Sequence, residues 1–212
     1  MRSLTSLVEG YRRFLGTRYR RQAELYQSLS ETGQSPKTMV VACCDSRVDP
    51  AVIFDTAPGE LFVVRNVANL VPPYEPHGDY HGTSAALEFA VTTLKVEHVL
   101  IMGHAQCGGV QAFLEGIFDP DREHDFIRKW VSIMNPARAE ALRQAPHRSP
   151  AELQQMIEFA AVRQSLENLS TFPFVKERLE DGSLQLHGAY FGIATGELLG
   201  LNPKSGTFEK MA

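Results

Sequence analysis

The sequence predicts an α/β fold: a single domain over residues 1–212 with a mainly parallel central β-sheet flanked by helices, entered by an N-terminal helical arm over residues 1–32. Two observations carry this. Met39-Val40-Val41-Ala42 and Val99-Leu100-Ile101-Met102-Gly103 are short, continuous apolar runs, the pattern of strands buried on both faces of a parallel sheet. Each run leads straight into a polar cluster, Cys43-Cys44-Asp45-Ser46-Arg47 after the first and His104-Ala105-Gln106-Cys107-Gly108-Gly109 after the second. In open α/β sheets, ligands bind at the carboxyl ends of the strands. With 43% hydrophobic and 22% charged residues, a chain of 212 residues can bury one full core.

From Leu4 to Leu29, the residues Leu4, Leu7, Val8, Tyr11, Phe14 and Leu15 recur at the three- and four-residue spacing of an amphipathic helix. Arg12, Arg13, Arg18, Arg20 and Arg21, with Glu9 and Glu24, make its solvated face. Such an arm is expected to lie on a partner subunit. Gly33-Gln34-Ser35-Pro36 then turns into the first strand. Asp49-Pro50 starts a short helix through Phe54, and Leu61-Phe62-Val63-Val64 is a second strand ending at Arg65-Asn66. After a Pro- and Gly-rich loop from Pro72 to Gly82, Thr83 or Ser84 caps a helix through Leu94. The strand ending at His104 follows, and Gly108-Gly109 opens a helix through about Glu115.

Residues 119–147 form helical pieces around Trp130. Ser149-Pro150-Ala151-Glu152 is a helix start with an N-cap, a proline in the first turn and a capping box; that helix breaks near Pro173. A shorter helix covers Phe174 to Leu179, and a last strand, Leu184 to Ile193, turns at Thr195-Gly196.

A net charge of -4 and a pI near 6.0 give no reason to expect nucleic acid as a partner. No apolar run approaches the roughly 20 residues of a membrane span, so no membrane partner is expected, and no signal-peptide core precedes the first helix. Three cysteines, two of them adjacent, are a poor disulfide framework. Thiolates held for a metal in a reducing cytoplasm fit better.

The chemistry lies at the two clusters. If the strands are neighbours, Cys43, His104 and Cys107 meet, and two thiolates with one imidazole are three of the four ligands that zinc takes. A fourth position left to water is the mark of a catalytic site. Two thiolates cancel the charge of Zn2+, so a group behind the ligands must help. Arg47 can hold the Asp45 carboxylate by a bidentate pair, keeping it ionised and off the metal, and Asp45 can orient zinc-bound hydroxide. If Asp45 instead binds zinc, the fourth position is filled; the competition predicts more of the active state at higher pH.

The stretches Cys43-Cys44-Asp45-Ser46-Arg47, Phe62-Val63-Val64-Arg65-Asn66-Val67-Ala68-Asn69 and Gly103-His104-Ala105-Gln106-Cys107-Gly108-Gly109 closely resemble the β-class carbonic anhydrases. The likeness runs from Gly33 to Gly109, and more weakly through Ser165-Leu166-Glu167-Asn168-Leu169 to His187-Gly188. It implies a zinc enzyme interconverting carbon dioxide and bicarbonate, built as a homodimer or a dimer-based tetramer or octamer. By motif, Cys43, His104 and Cys107 bind zinc, Asp45 and Arg47 form the catalytic dyad, and Asp45 is a fourth metal ligand in closed forms. In plant-like members a glutamine nine residues before the first cysteine faces the substrate, here Gln34. Phe62, Val67 and Phe89 then make the apolar wall of that pocket, shared across the dimer interface, with Gly108 beside it. The branch closed by a bicarbonate pocket carries a tryptophan where this chain has Val40 and a tyrosine where it has Phe191, and Arg65 alone is a weak remnant of that pocket. The open, plant-like state is therefore expected. Cys44 is expected to be a packed free thiol.

Three other chemistries compete. The same hydroxide would attack carbon disulfide or carbonyl sulfide, and the site could be a non-catalytic zinc-binding module. Cysteine phosphatase or sulfurtransferase chemistry ranks last, because the loop after Cys43 is too short and glycine-poor to cradle phosphate. Among the histidines, His77 and His81 are candidate proton shuttles, His98, His124 and His147 read as surface residues, and His187 reads as a satisfied strand histidine.

Overall fold

The apolar run before Cys43 forms β1 (Thr38–Cys43), in which every residue from Met39 onward is buried. On one side it pairs in parallel with β2 (Leu61–Asn66), and on the other with β3 (His98–His104). Next comes β4 (Gln185–Phe191), parallel to β3, then β5 (Leu198–Leu201) and β6 (Phe208–Lys210), both antiparallel, giving the order β2-β1-β3-β4-β5-β6. The register sets Cys43 beside Asn66, Ala42 beside Met102 and His104 beside Phe191. All four parallel strands thus deliver their last residues to one edge. The computed structural model describes residues 3–77, 81–116, 125–144 and 148–211, with the Asp125 side chain left out.

Alternation along β1 and β3 divides the core. Val40, Ala42 and Met102 face a layer with Val110, Met134 and Ile157, while Met39, Val41 and Ile101 face Leu87, Val91 and Leu169. None of the helices among the described residues is long and apolar enough to cross a membrane.

The arm departs from the expected single helix over Leu4 to Leu29. It is α1 (Leu4–Phe14), a π-helical turn over Leu15–Tyr19, a break at Gln22 (φ -115°), and α2 (Ala23–Thr32). Aromatic packing accounts for the widened turn: Phe14 lies 5.9 Å from Tyr19 and 6.2 Å from Tyr26, and Tyr19 lies 5.1 Å from Tyr26. A π turn brings residues five apart onto one side, which a regular α-helix would not. Leu4, Leu7, Val8 and Tyr11 are exposed, so the apolar face of α1 has no cover among the described residues.

Asp49 caps α3 (Pro50–Ile53) through Ala51 N–H. The next helix, α4 (Gly82–Glu88), runs on through a π-helical turn Phe89–Thr93 but lacks the expected Thr83 or Ser84 cap. It starts at Gly82 with His81 at the N-cap, at least two residues earlier, and Thr83 Oγ1 instead accepts a hydrogen bond from Asn66 Nδ2 at 3.3 Å. After α5 (Gly108–Leu114), the expected helical pieces are α6 (Asp125–Val131), a 3-10 turn Ser132–Met134 and α7 (Asn135–Gln144). His124 and His147 lie outside the described residues.

The capping box forms as expected and opens α8 (Pro150–Leu169): Ser149 Oγ accepts from Glu152 N–H at 3.3 Å, and Glu152 Oε2 accepts from Ser149 N–H at 3.0 Å. Replacing Ser149 with Ala removes the first bond and is expected to cost about 1 kcal/mol, seen as a fall in Tm of about 2–4 °C by differential scanning calorimetry. An unchanged Tm would mean the box contributes nothing to folding. Following α9 (Pro173–Glu180), β4 proves not to be the last strand. The chain turns back at Gly196 and again at Gly206, both at φ 71°, so that β5 and β6 extend the sheet. Strands of four and three residues are too short to display a readable alternation.

Two glycines govern how α8 sits. A Cβ at Gly103 would meet Val162 Cγ2 at 2.7 Å, and one at Gly188 would meet Val162 Cγ1 at 3.0 Å. Their absence lets the helix lie directly on β3 and β4, close behind the ends of the strands.

Candidate metal centre

Cys43 closes β1, His104 closes β3, and Cys107 begins the turn into α5. They are 5%, 1% and 1% exposed. The two Sγ atoms are 3.9 Å apart, and the three ligand atoms lie within 4.8 Å of one another, a grouping that could hold a metal ion. His104 Nδ1 faces the Ala105 carbonyl at 2.9 Å, which makes Nδ1 the protonated nitrogen. That leaves Nε2 with a free lone pair, and it is buried with no hydrogen-bond partner among the described residues. Buried polar atoms are nearly always paired, so an orphan facing two thiols needs an explanation. A metal taking nitrogen and sulfur donors supplies one, and the donor set fits zinc.

Hydrogen bonding from the Cys107 thiol drives Cys43 down to about 4, against the opposing effect of its burial. The same neighbour and burial push Cys107 upward. Burial alone would lower His104, but the Cys43 sulfur beside it prevails and raises it.

Asp45 and Arg47 form a bidentate pair: Nε donates to Oδ1 at 2.9 Å and Nη2 to Oδ2 at 2.7 Å, with Arg47 N–H adding a third bond to Oδ1 at 2.9 Å. The guanidinium holds the Asp45 carboxyl well below the usual carboxylate range, so it stays ionised throughout neutral pH. Asp45 lies outside the three-ligand grouping. Arg47 Nη2 also donates to the Gln106 carbonyl at 3.1 Å, joining the loop after β1 to the loop after β3.

Two charged residues stand behind the loops: Arg65, read from the sequence only as the end of the second strand and a weak remnant of a bicarbonate pocket, and Glu158, which sequence reasoning missed. Arg65 spends its guanidinium on the first loop: Nε donates to the Cys43 carbonyl at 2.9 Å, Nη2 to the Asp45 carbonyl at 2.6 Å, and Nη1 to Asp49 Oδ2 at 2.9 Å. Glu158 on α8 backs the second, accepting from Cys107 N–H at 2.9 Å. Its signal was present, since an acid sits among Ile157, Ala160 and Ala161 on the apolar side of α8. Cys44, expected to be packed, is exposed. Its N–H continues the ladder to the Asn66 carbonyl at 2.8 Å, which turns its side chain out beside Val67 and Trp130.

The expected substrate pocket divides. Val67 packs against the core next to the cluster, where a Cβ on Gly109 would meet its Cγ1 at 2.7 Å, and Gly108 shares a polar recess with Arg47, Gln106 and Glu158. Phe62 and Phe89 pack on each other with ring centres 6.0 Å apart, but Phe62 pairs with Met39, at the opposite end of the sheet. Four residues of strand put it about 13 Å from the Asn66 edge. Gln34 precedes β1, whose six residues span about 17–20 Å. One chain therefore does not bring Gln34, Phe62 or Phe89 to its own cluster. His77 and His81 are exposed, and His187 is satisfied by His98, Nε2 to Nδ1 at 3.2 Å.

Residues 38–198 match the family model for carbonic anhydrase. The chain is 40% identical over 180 residues to beta carbonic anhydrase 5, chloroplastic, of Arabidopsis thaliana, covering 85% of this chain and 58% of that protein. To beta carbonic anhydrase 3 of the same plant it is 37% identical over 192 residues, 90% of this chain and 73% of that one. The solved β-carbonic anhydrase CcaA superposes with a TM-score of 0.91 at 29% identity, over 99% of this chain and 92% of that one. A Coccomyxa β-carbonic anhydrase in complex with acetazolamide gives 0.82 at 27% identity, over 95% and 87%. One of the tetrameric β-carbonic anhydrases of Sordaria macrospora gives 0.79 at 26%, over 92% and 95%. By motif, by length of match and by superposition, this chain belongs to the β-class carbonic anhydrases.

Proposed function

We propose that the chain catalyses the reversible hydration of carbon dioxide to bicarbonate and a proton, with Zn2+ held by Cys43, His104 and Cys107. The observation that carries this reading is the buried, unpartnered His104 Nε2 facing two free thiols, next to a carboxylate already fastened to an arginine. When bound, zinc supplies the positive centre that makes water a nucleophile near neutral pH. Everything else falls to the chain. Arg47 keeps Asp45 ionised and fixes its plane; the free lone pair on Oδ2 accepts a hydrogen bond from the attacking water and aims its oxygen. Val67 offers carbon dioxide an apolar surface, suited to a substrate with no charge to grip. Because all three guanidinium nitrogens of Arg65 are tied to the first loop and Asp49, the group is held away from building a bicarbonate pocket, and this favours the open arrangement in which Asp45 stays on Arg47.

The site is completed by a second copy of the chain. Gln34, Phe62 and Phe89 lie at the far edge of the sheet, so only a partner can bring them to the metal, and the uncovered face of α1 gives that partner a surface to bind. The working unit is a homodimer, or a tetramer or octamer built from it. Three free thiols suit a reducing compartment, the cytoplasm in this reading.

Stopped-flow carbon dioxide hydration, with and without a chelator, tests the reading. The expected result is a rate far above the buffer background, abolished by chelation and restored by zinc. Zinc-loaded protein at the background rate would overturn it, and turnover of carbonyl sulfide alone would transfer the site to the hydrolase reading.

A further inference from the structure

Glu158 is the one buried carboxylate among the described residues, at 3% exposure. Burying an ionised acid costs several kcal/mol unless its lone pairs are met. Here they are. Oε1 accepts from Cys107 N–H and from Gln154 Nε2, both at 2.9 Å, and Oε2 accepts from Tyr190 O–H at 2.6 Å. Gln154 Nε2 also reaches the Cys107 carbonyl at 3.4 Å, so side chains of α8 touch Cys107 on both sides.

The peptide unit between Gln106 and Cys107 is the centre of this arrangement. Its oxygen accepts from Arg47 Nη2 at 3.1 Å, and its N–H donates to Glu158. The Arg47 guanidinium on the carbonyl and a Glu158 carboxyl oxygen on the amide N–H both favour the peptide dipole in the same sense. The unit needs holding, because Gln106 sits at φ 55°, a left-handed conformation that costs energy for any residue but glycine.

We propose that Glu158 is a positioning residue of the metal centre: it clamps the Gln106–Cys107 peptide from the side opposite Arg47, and so fixes both the aim of Cys107 Sγ and the seat of the guanidinium that holds Asp45. This rests on the metal site proposed above. Partners behind metal ligands commonly change metal affinity by about 10–100-fold when removed.

The test compares Glu158→Ala, Glu158→Gln and Tyr190→Phe by three readouts: zinc release to a chelator well below the thermal transition, the thiolate-to-cobalt absorption of the Co2+-loaded protein, and Tm. Glu158→Ala is expected to release metal about 10–100-fold faster and to shift the cobalt band. Glu158→Gln keeps an acceptor for Cys107 N–H and should restore most of both, while Tyr190→Phe should fall between. A lower Tm with a wild-type cobalt band and release rate would assign Glu158 to packing and overturn the proposal. Should Glu158→Ala fail to fold, a wild-type release rate and cobalt band in Tyr190→Phe would overturn it equally. Zinc-loaded wild-type protein that does not hydrate carbon dioxide would refute the activity while leaving these release rates to decide the clamp.

Discussion

Replacing Cys107 with Ser is expected to remove most of the bound zinc and to lower carbon dioxide hydration by more than about 100-fold, beyond the range seen when only a group behind a ligand is lost. A thiolate is a metal ligand, whereas a serine hydroxyl stays protonated at neutral pH and offers little to zinc. The side chain is 1% exposed, so no solvent group can take its place without moving the loop. His104 Nε2 and Cys43 would remain, two donors where three had converged. Metal content by atomic absorption, with the stopped-flow rate, checks this. Stability should fall as well, because a metal that binds only the folded chain contributes about 4 kcal/mol when present at a thousandfold its Kd. A Cys107→Ser protein with full zinc and full rate would show that the three residues are not the ligands.

Asp45→Asn should separate metal from turnover. The amide is nearly the same size, and Asp45 stands outside the three-ligand grouping, so zinc content should stay close to wild type. The rate should fall by about 10²–10⁴-fold, the ordinary contribution of a positioned proton-accepting group. Two features of the pair set this size. Asn cannot accept both Arg47 donors at 2.9 and 2.7 Å, since one of its atoms is itself a donor. It also carries no charge, so the guanidinium is released. Arg47→Lys should be milder, because a lysine keeps the charge but loses the fork. Parallel loss of zinc and rate in Asp45→Asn would make Asp45 a structural ligand instead.

How much of this was legible in the sequence depended on how local each signal was. The buried strands and the loops after them could be read because a parallel sheet repeats one pattern: an apolar run, then polar residues at the same edge. That pattern gave Cys43, His104 and Cys107 together, and the two-residue spacing of Asp45 and Arg47 gave their pair. The break in the arm was hidden, because the rings of Phe14, Tyr19 and Tyr26 choose their partners through space and override the helical period. Glu158 showed only as an acid on an apolar helix face; its partners Cys107 and Tyr190 come from the loop before α5 and from β4, whose positions no periodicity in α8 reveals. The residues matched by motif to one pocket were separated in the chain by the length of a strand, a distance that a motif does not encode.

Gly103 carries a last consequence. Its missing methyl sets how near α8 rides over the sheet, and that height sets the reach of a carboxylate mounted on the helix. A packing change at a site with no chemistry of its own would then surface as leakage of an ion. A survey of damaging substitutions that sorted them into fold and activity would misfile this one, because under the clamp proposed above the spacing between α8 and the sheet would act on the metal centre.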